Sequence, residues 1–321
     1  PKVGLIWSPL ADLTMRANWG TSFRAPAMVE LAERRYISAT FVADTVGQQV
    51  ALFEGGGNPD LKPETAETFT IGFDYRPADR PWRFGATWFD IDFSDQIGRP
   101  ALDNLTQVLL DPNLAPFVRR IDRTSAADRA AVDALITSPA FLLPGVLPAD
   151  AFGVVVDARW LNTASVEVRG IDANAAYDLD LAGGALTIEA SASYMTDFAR
   201  RITTAAPSVD LVDTYGFPVD LRGTLSGRWV RDDLSVRVAV NHVGGYRDLR
   251  QIRIGSWTTT DLQLGWQPSA AWGDGLSLTA SVRNFFDADP PFYDALTGIG
   301  FDAGQADPLG RTISLQVTKR W

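Results

Sequence analysis

The sequence contains no cysteine and only one histidine, His242. Without cysteine the chain can form no disulfide, no thiolate nucleophile and no thiolate metal site. A single histidine cannot build a multi-histidine metal site, and no GxSxG-type motif supports a hydrolase triad around it. We therefore interpret His242 as a polar strand residue, and the sequence predicts neither a catalytic group nor a cofactor.

The chain is also poor in basic residues and lacks a long apolar run. It has 29 lysines and arginines against 39 aspartates and glutamates, which gives a formal net charge of -10 at pH 7. Nucleic-acid binding requires a basic patch that neutralises phosphates, and this sequence offers none, so no nucleic-acid partner is predicted. No stretch of about 18 apolar residues occurs, so no transmembrane helix is predicted.

Instead, apolar and polar residues alternate with a period of two. Near the end of the chain, Ile313, Leu315 and Val317 share one side of a predicted strand, and the residues between them are polar. This period is typical of a β-strand whose two faces meet different environments. The pattern recurs in about eleven segments, many of about ten residues, which is the length of a tilted strand that crosses a bilayer.

The connections between these segments alternate between short and long. The short ones are residues 9–12, 77–81, 180–184, 231–233 and 268–275, and the long ones are 20–67, 94–165, 197–217, 244–256 and 285–309. Outer-membrane barrels alternate in this way because their periplasmic turns are short and their extracellular loops are long. The sequence therefore predicts an all-β fold, a transmembrane antiparallel up-and-down β-barrel. Its loops are expected to contain short helices near residues 27–35 and 125–136, the second capped by Ser125.

Four short segments resemble motifs of TonB-dependent receptors and occur in the order found in that family. They are residues 22–26 (SFRAP), 58–64 (NPDLKPE), 168–172 (VRGID) and 283–287 (RNFFD). Residues 61–64 also suit an extended entry into a strand, because the residue before a proline avoids the helical conformation. We interpret the four motifs as architectural rather than ligand-contacting.

The resemblance implies a barrel of about 22 strands closed by an N-terminal plug, of which residues 1–321 match the C-terminal half. On this interpretation the plug and the first barrel strands are absent from the chain, and residues 94–165 form a long extracellular loop. The implied location is the bacterial outer membrane. The implied partners are outer-membrane lipid, TonB through the missing N-terminal region, the barrel assembly machinery and a small-molecule nutrient. A terminal aromatic residue also resembles the assembly signal of such barrels, which assigns Trp321 to assembly.

The resemblance further implies active transport. In such receptors a nutrient binds at the extracellular loops and is imported with energy relayed by TonB. The nutrient most common in the family is an iron–siderophore chelate. Two alternatives stay open, namely a passive porin-like channel, which needs no plug, and a soluble all-β glycoside hydrolase. The hydrolase would use a carboxylate pair such as Asp90 and Asp92. We do not predict an enzyme.

The predicted lumen face is rich in arginine and asparagine. Its residues of this kind are Arg16, Asn18, Arg222, Arg228, Arg237, Asn241 and Arg283. Inward arginines could attract an anionic chelate, which makes Arg222, Arg237 and Asn241 candidates for ligand contact. The alternative is that the arginines pair with acidic residues of the plug or of the lumen, such as Glu189 and Asp261.

The long connections carry a second set of candidates, which are aromatic. They are Trp160, Tyr246, Phe292 and Tyr293. Aromatic side chains at the mouth of a barrel could stack on a ligand, or they could pack the loops against one another. The sequence alone leaves both interpretations open.

Overall fold

A computed structural model of the chain describes residues 1–45, 47–105, 108–203, 206–248, 250–269, 274–294 and 300–320. Trp321, which the sequence assigns to barrel assembly, lies outside these described residues. Within the same ranges, no helix has the length and apolar character needed to span a membrane.

Strands make up most of the described chain. In chain order they are β1 (Lys2–Leu10), β2 (Leu13–Arg24), β3 (Tyr36–Ala43), β4 (Gln48–Gly55), β5 (Glu64–Tyr75), β6 (Trp82–Gly98), β7 (Val118–Arg120), β8 (Phe152–Asp157), β9 (Leu161–Leu181), β10 (Gly184–Arg201), β11 (Val209–Asp210), β12 (Leu221–Arg231), β13 (Leu234–Val243), β14 (Tyr246–Arg247), β15 (Arg253–Ile254), β16 (Trp257–Trp266), β17 (Leu276–Arg283) and β18 (Thr312–Lys319).

Eleven of these strands form one continuous antiparallel sheet, which we call the wall sheet. Its order is β1-β2-β5-β6-β9-β10-β12-β13-β16-β17-β18, and the short β11 pairs with β10 beside this path. Each strand in the path pairs with the next one along the sheet, so the prediction of about eleven up-and-down strands is confirmed. The sheet is open, with β1 and β18 at its two edges.

The two faces of the wall sheet differ as the alternation predicts. Leu225 of β12 and Leu315 of β18 lie on the apolar outer face, with 53% and 73% of their surface exposed. Aromatic rings cluster on the same face beside the turn between β5 and β6, where the ring centroids of Tyr75 and Trp82 are 5.1 Å apart. An apolar band that ends in aromatic residues is typical of the lipid-facing side of a membrane barrel.

The alternation of short and long connections also holds in the structure. At one end of the wall sheet, β1–β2, β5–β6, β9–β10, β12–β13 and β16–β17 are joined by short turns, and the long connections all lie at the other end. The strands extend further into the loops than the sequence predicts. β6 ends at Gly98 and β9 begins at Leu161, so the connection predicted at residues 94–165 spans 99–160. The ends of these strands pack against the loops, since Ile97 is buried and Leu161 contacts a hydrophobic cluster of the loops.

The helices are short and lie in the long connections. The described ones are α1 (Met28–Ala32), α2 (Pro100–Asp103), α3 (Ala126–Ile136) and the 3₁₀ helices at Pro112–Phe117 and Ala149–Ala151. Ser125 caps α3 by accepting a hydrogen bond from the backbone N–H of Asp128. The helix predicted at residues 27–35 is shorter than expected, because the backbone of Glu33 leaves the helical conformation and the chain continues into β3.

The connections 25–63 and 99–160 fold together into a unit that the sequence did not predict, the loop subdomain. Its sheet has the order β3-β4-β8-β7, with β4 and β8 parallel. A hydrophobic cluster covers each face of this sheet. Phe53 and Val154 belong to one cluster, and Leu52 and Phe152 belong to the other. The largest fully buried side chains of the described chain lie here and not in the wall sheet, because one face of the wall sheet is apolar and outward-facing.

Candidate functional site

The inner face of the wall sheet is a polar surface, to which β6, β9, β10, β12, β13, β16, β17 and β18 contribute. Thr224 of β12 and Asn241 of β13 are cross-strand neighbours, and the Asn241 Nδ2 donates to Asp261 Oδ2 of β16 at 3.0 Å. Two grooves of about 540 and 430 Å³ run along this face, and both are lined by Thr224 and Asn241. Arg222 lines the first groove and Arg237 the second. The three wall residues predicted to contact ligand therefore lie on one surface.

The arginines of this face are mostly unpaired. Arg228 and Arg237 are direct cross-strand neighbours, and within the described residues neither they nor Arg283 form an ion pair. Like charges directly opposite each other on a sheet are unfavourable unless an anion lies between or above them. The second groove thus carries a net positive charge, from Arg237 and Arg283 against Asp261, which raises the local concentration of anions.

The acidic partners suggested by the sequence are engaged elsewhere. Asp261 accepts hydrogen bonds from Asn241 and from the backbone N–H of Asn284, and Glu189 lies 4.0 Å from Arg83. In the described part of the wall, neither Glu189 nor Asp261 forms an ion pair with the arginines named above, and pairing with the plug stays an open alternative. Arg16 pairs with Asp74, and Arg83, which also faces inward, pairs with Asp178.

Three long connections meet above these grooves in a small aromatic cluster, the mouth cluster. Tyr246 is only 5% exposed and packs with Val219 and Ile254, while Tyr215 and Tyr293 pack against the same group. Burial first, and then the neighbouring carboxylate of Asp302, raises the pKa of the Tyr246 hydroxyl. Two of the predicted aromatic candidates, Tyr246 and Tyr293, are thus brought together by packing.

The other two aromatic candidates lie apart from the mouth cluster. Phe292 is 76% exposed. Trp160 belongs to the loop subdomain, where its Nε1 donates to Glu33 Oε2 at 2.9 Å and the guanidinium of Arg99 lies 4.4 Å from its ring centroid. The Asn58 Nδ2 donates to the Trp160 backbone oxygen at 3.0 Å, so Trp160 ties separate loop segments together.

An ion-pair network at the rim of the wall sheet joins two of the sequence motifs. Arg24, from the SFRAP segment, is paired in register with Glu64, from the NPDLKPE segment. The guanidinium of Arg24 makes a bidentate contact with Glu64, with Nε–Oε2 and NH2–Oε1 distances of 2.6 and 2.8 Å. Arg24 also contacts Glu30, whose carboxylate accepts the backbone N–H of Ala27 at the start of α1. The two motifs therefore fix the loop subdomain to the wall, as their architectural interpretation suggests. The alternation of apolar and polar residues along the strands does not predict that Arg24 pairs with Glu64.

The residues considered for catalysis lie on the outer face of the wall sheet. Asp90 lies on the outer face of β6, where it forms an ion pair of 3.2 Å with Arg169, and Asp92 follows on the same face. His242 is hydrogen-bonded through Nδ1 to Thr258 at 2.8 Å on the outer face of β13. Among the described residues, no group of three or more histidine, aspartate and glutamate side chains is placed to hold a metal ion.

Comparison with known families gives one match. The model of a family described as TonB dependent receptor-like, beta-barrel, matches residues 1–285. No curated protein sequence matches the chain.

Several solved structures share the architecture of the chain. A variant of the ferric enterobactin receptor PfeA from Pseudomonas aeruginosa is 18% identical with a TM-score of 0.62, and the siderophore receptor PirA from Acinetobacter baumannii is 17% identical with a TM-score of 0.64. The FrpB iron transporter from Neisseria meningitidis is 16% identical with a TM-score of 0.56. Each comparison covers 99% of this chain but only 40%, 40% and 39% of the respective structure, so the chain spans less than half of their length. At these identities the comparisons establish the fold, which is that of a segment of a large outer-membrane barrel.

Proposed function

Because the chain belongs to the TonB-dependent receptor family, we propose that it forms the C-terminal half of the barrel of a nutrient-importing receptor. Proteins of this family lie in the bacterial outer membrane, and the apolar outer face of the wall sheet contacts its lipid. The related structures are more than twice as long as this chain. We place the plug and the segment that contacts TonB in the remainder of the receptor.

The unpaired arginines of the inner face carry the proposal about the nutrient. Arg228, Arg237 and Arg283 line the lumen without a carboxylate partner among the described residues. A surface of this kind favours an anionic solute over a neutral or cationic one. Ferric siderophores are commonly anionic chelates, and similar structures include receptors for ferric enterobactin and other siderophores. We therefore propose an anionic ferric siderophore as the transported nutrient, with Arg222, Arg237 and Asn241 on its path.

Neutralisation of one lumen arginine tests this proposal. We expect Arg237→Gln in the full receptor to weaken binding of an anionic ferric siderophore about tenfold, because one lost charged contact is worth about 1.4 kcal/mol. The dissociation constant would be measured by tryptophan fluorescence titration of the purified receptor at low and high salt. The difference between the two proteins should shrink at high salt, since mobile ions screen charges in a wet lumen.

Arg231→Gln is the matched control for that experiment. Arg231 is the last residue of β12 and lines neither groove, and its guanidinium contacts the neighbouring Asp232 and the backbone oxygen of Ala182. It should leave the affinity unchanged. Equal affinities for wild type, Arg237→Gln and Arg231→Gln would contradict a role of the inner face in binding anions.

The direction of the chain across the membrane gives a second prediction. Ala130 is exposed on α3 in the loop subdomain, and Ala78 is exposed in the short turn between β5 and β6. In a full receptor without other cysteines, we expect Ala130→Cys to react with a membrane-impermeant maleimide on intact cells. Ala78→Cys should react only after the outer membrane is permeabilised. The reverse result would place the long connections on the periplasmic side.

A further inference from the structure

We infer that Gln305 is a positioning residue for ligand binding, which holds the guanidinium of Arg222 at the first groove without neutralising its charge. The inference rests on the proposed function, because it takes Arg222 as a contact of the anionic nutrient. Gln305 lies in the last long connection and belongs to none of the four sequence motifs. Its role follows from the contacts of its side chain.

The amide of Gln305 joins the wall sheet to another long connection. Arg222, the second residue of β12, donates through Nη2 to the Gln305 Oε1. The Gln305 Nε2 donates in turn to the backbone oxygen of Phe217, in the connection that precedes β12, at 3.1 Å. The ring of Phe217 packs near that of Phe198 of β10, with 5.7 Å between the centroids. Both polar ends of the Gln305 amide are therefore engaged, and its orientation is fixed.

The backbone around Gln305 is fixed as well. The backbone N–H of Gln305 donates to the Asp302 backbone oxygen at 3.1 Å, and the Asp302 Oδ1 accepts the backbone N–H of Gly304 at 2.9 Å. Asp302 is only 8% exposed and lies beside Tyr246 of the mouth cluster. The mouth cluster thus anchors the turn from which the Gln305 side chain reaches the wall sheet.

The side-chain partner of Arg222 is neutral, whereas other inward arginines have acidic partners. Arg16 and Arg83 each form an ion pair with an aspartate. A carboxylate partner cancels the charge that an arginine offers to an anion, and an amide oxygen leaves that charge in place. Within the described residues, the contact with Gln305 is the one polar contact of the Arg222 side chain. The remaining N–H donors of the guanidinium are therefore available to a ligand.

Positioning matters because the arginine side chain has many rotatable bonds. A guanidinium that moves freely must lose this freedom when it binds an anion, and the loss weakens binding. Gln305 restricts Arg222 beforehand. The other cross-strand neighbours of Arg222 that line the groove, Ser193 and Val243, are uncharged and do not compete with an anion for it. We therefore expect Gln305 to act on affinity through Arg222.

A double-mutant cycle in the full receptor tests this role. Ferric enterobactin and ferric citrate serve as anionic probes, and their dissociation constants are measured by tryptophan fluorescence titration of the purified receptor. We expect Arg222→Gln to weaken binding about tenfold, through the loss of one charged contact. Gln305→Ala should weaken it about fivefold, because the freed arginine must be ordered again on binding. In the Arg222→Gln background, Gln305→Ala should have no further effect.

Gln267→Ala is the matched control. Gln267 follows β16 at the end of the wall sheet with the short turns, and its Nε2 contacts the Ser277 hydroxyl at 3.5 Å. This variant should bind both probes as wild type does. Heat-modifiable gel mobility of each variant identifies any protein that has not folded.

The cycle separates positioning from mere support of the loops. If Gln305 only held the loops together, Gln305→Ala would weaken binding equally with and without Arg222, and this additivity would overturn the inference. Wild-type affinity of Gln305→Ala would overturn it too. Both results leave the proposed function intact, as long as Arg222→Gln itself binds more weakly. Unchanged affinity of Arg222→Gln, or a wild type that binds neither probe, would overturn the inference together with the place of Arg222 on the nutrient path.

Gln305→Glu gives a second readout. A carboxylate at this position would pair with Arg222 and cancel its charge, so we expect weaker binding than in Gln305→Ala. The difference between these two variants should shrink at high salt, because mobile ions screen charges in a wet lumen. An ion pair would support the loops at least as well as the amide does. Affinity of Gln305→Glu equal to that of wild type would therefore contradict the need for a neutral partner.

Discussion

Replacement of Leu225 by arginine is expected to lower the free energy of unfolding of the full receptor by about 2–4 kcal/mol, the cost of arginine near the midplane of a barrel's lipid face. Leu225 lies in the middle of β12 and is 53% exposed on the outer face. Its cross-strand neighbours are Ala190 and Val240, both apolar. An arginine there cannot reach the headgroup region without distorting the lipid. Urea unfolding of the receptor in lipid vesicles measures the difference.

Thr224→Arg is the matched control, one residue away at the same depth. Thr224 lies on the inner face, where its hydroxyl is 3.1 Å from Asn241 Oδ1. An arginine at this position enters the water-filled lumen and should cost no more than about 1 kcal/mol, the worth of the lost hydrogen bond. Equal losses for the two variants would show that the faces of the wall sheet are not assigned correctly.

Phe152→Ala is expected to unfold the loop subdomain while the barrel stays intact. Phe152 is fully buried in the cluster of Leu52, Val132 and Phe141, and its ring meets that of Phe141 edge-on at 6.5 Å between centroids. Deletion of a buried phenylalanine side chain costs about 3–5 kcal/mol, because it removes apolar contacts and leaves a cavity. Hydrogen exchange should show a loss of amide protection in β3, β4 and β8 and no change in β12 or β13.

Phe41→Ala provides the comparison within the same sheet. Phe41 lies on β3 but is 66% exposed, so its removal leaves no cavity and should change protection little. Heat-modifiable mobility of both variants should match that of wild type. Simultaneous loss of protection in the wall strands of Phe152→Ala would mean that the two sheets unfold as one unit.

The wall sheet could be predicted from the sequence because each of its strands separates two solvents. A strand such as β12 has Leu225 towards lipid and Thr224 towards water, so its pattern is nearly independent of its neighbours. The alternation of short and long connections then predicts which end of the wall sheet faces the cell exterior. The positions of β-bulges are harder to predict from the sequence. A change in the apolar phase at Gly170 predicts a bulge in β9, but the register shift lies between Met195 and Asp197 of β10, opposite Gly170.

The loop subdomain could not be predicted in the same way. Its inner strands β4 and β8 are covered by a hydrophobic cluster on each face, so β8 reads as a short apolar run that gives no period. The parallel pairing of β4 with β8 joins segments about 100 residues apart, which no local pattern reveals. The same limit applies to the candidate site. Alternation identifies Arg222 and Arg237 as inward residues, whereas the packing of Tyr215, Tyr246 and Tyr293 depends on how three long connections meet.

We propose that this chain belongs to an energised receptor and not to a passive pore. Uptake of a siderophore loaded with radioactive iron tests it most directly, in cells that produce the full receptor with and without functional TonB. An energised receptor concentrates its nutrient at low external concentration, so we predict saturable uptake that is abolished when TonB is removed, while binding at the cell surface persists. Uptake that rises in proportion to external concentration and is unaffected by the loss of TonB would contradict the account and would identify a porin-like channel.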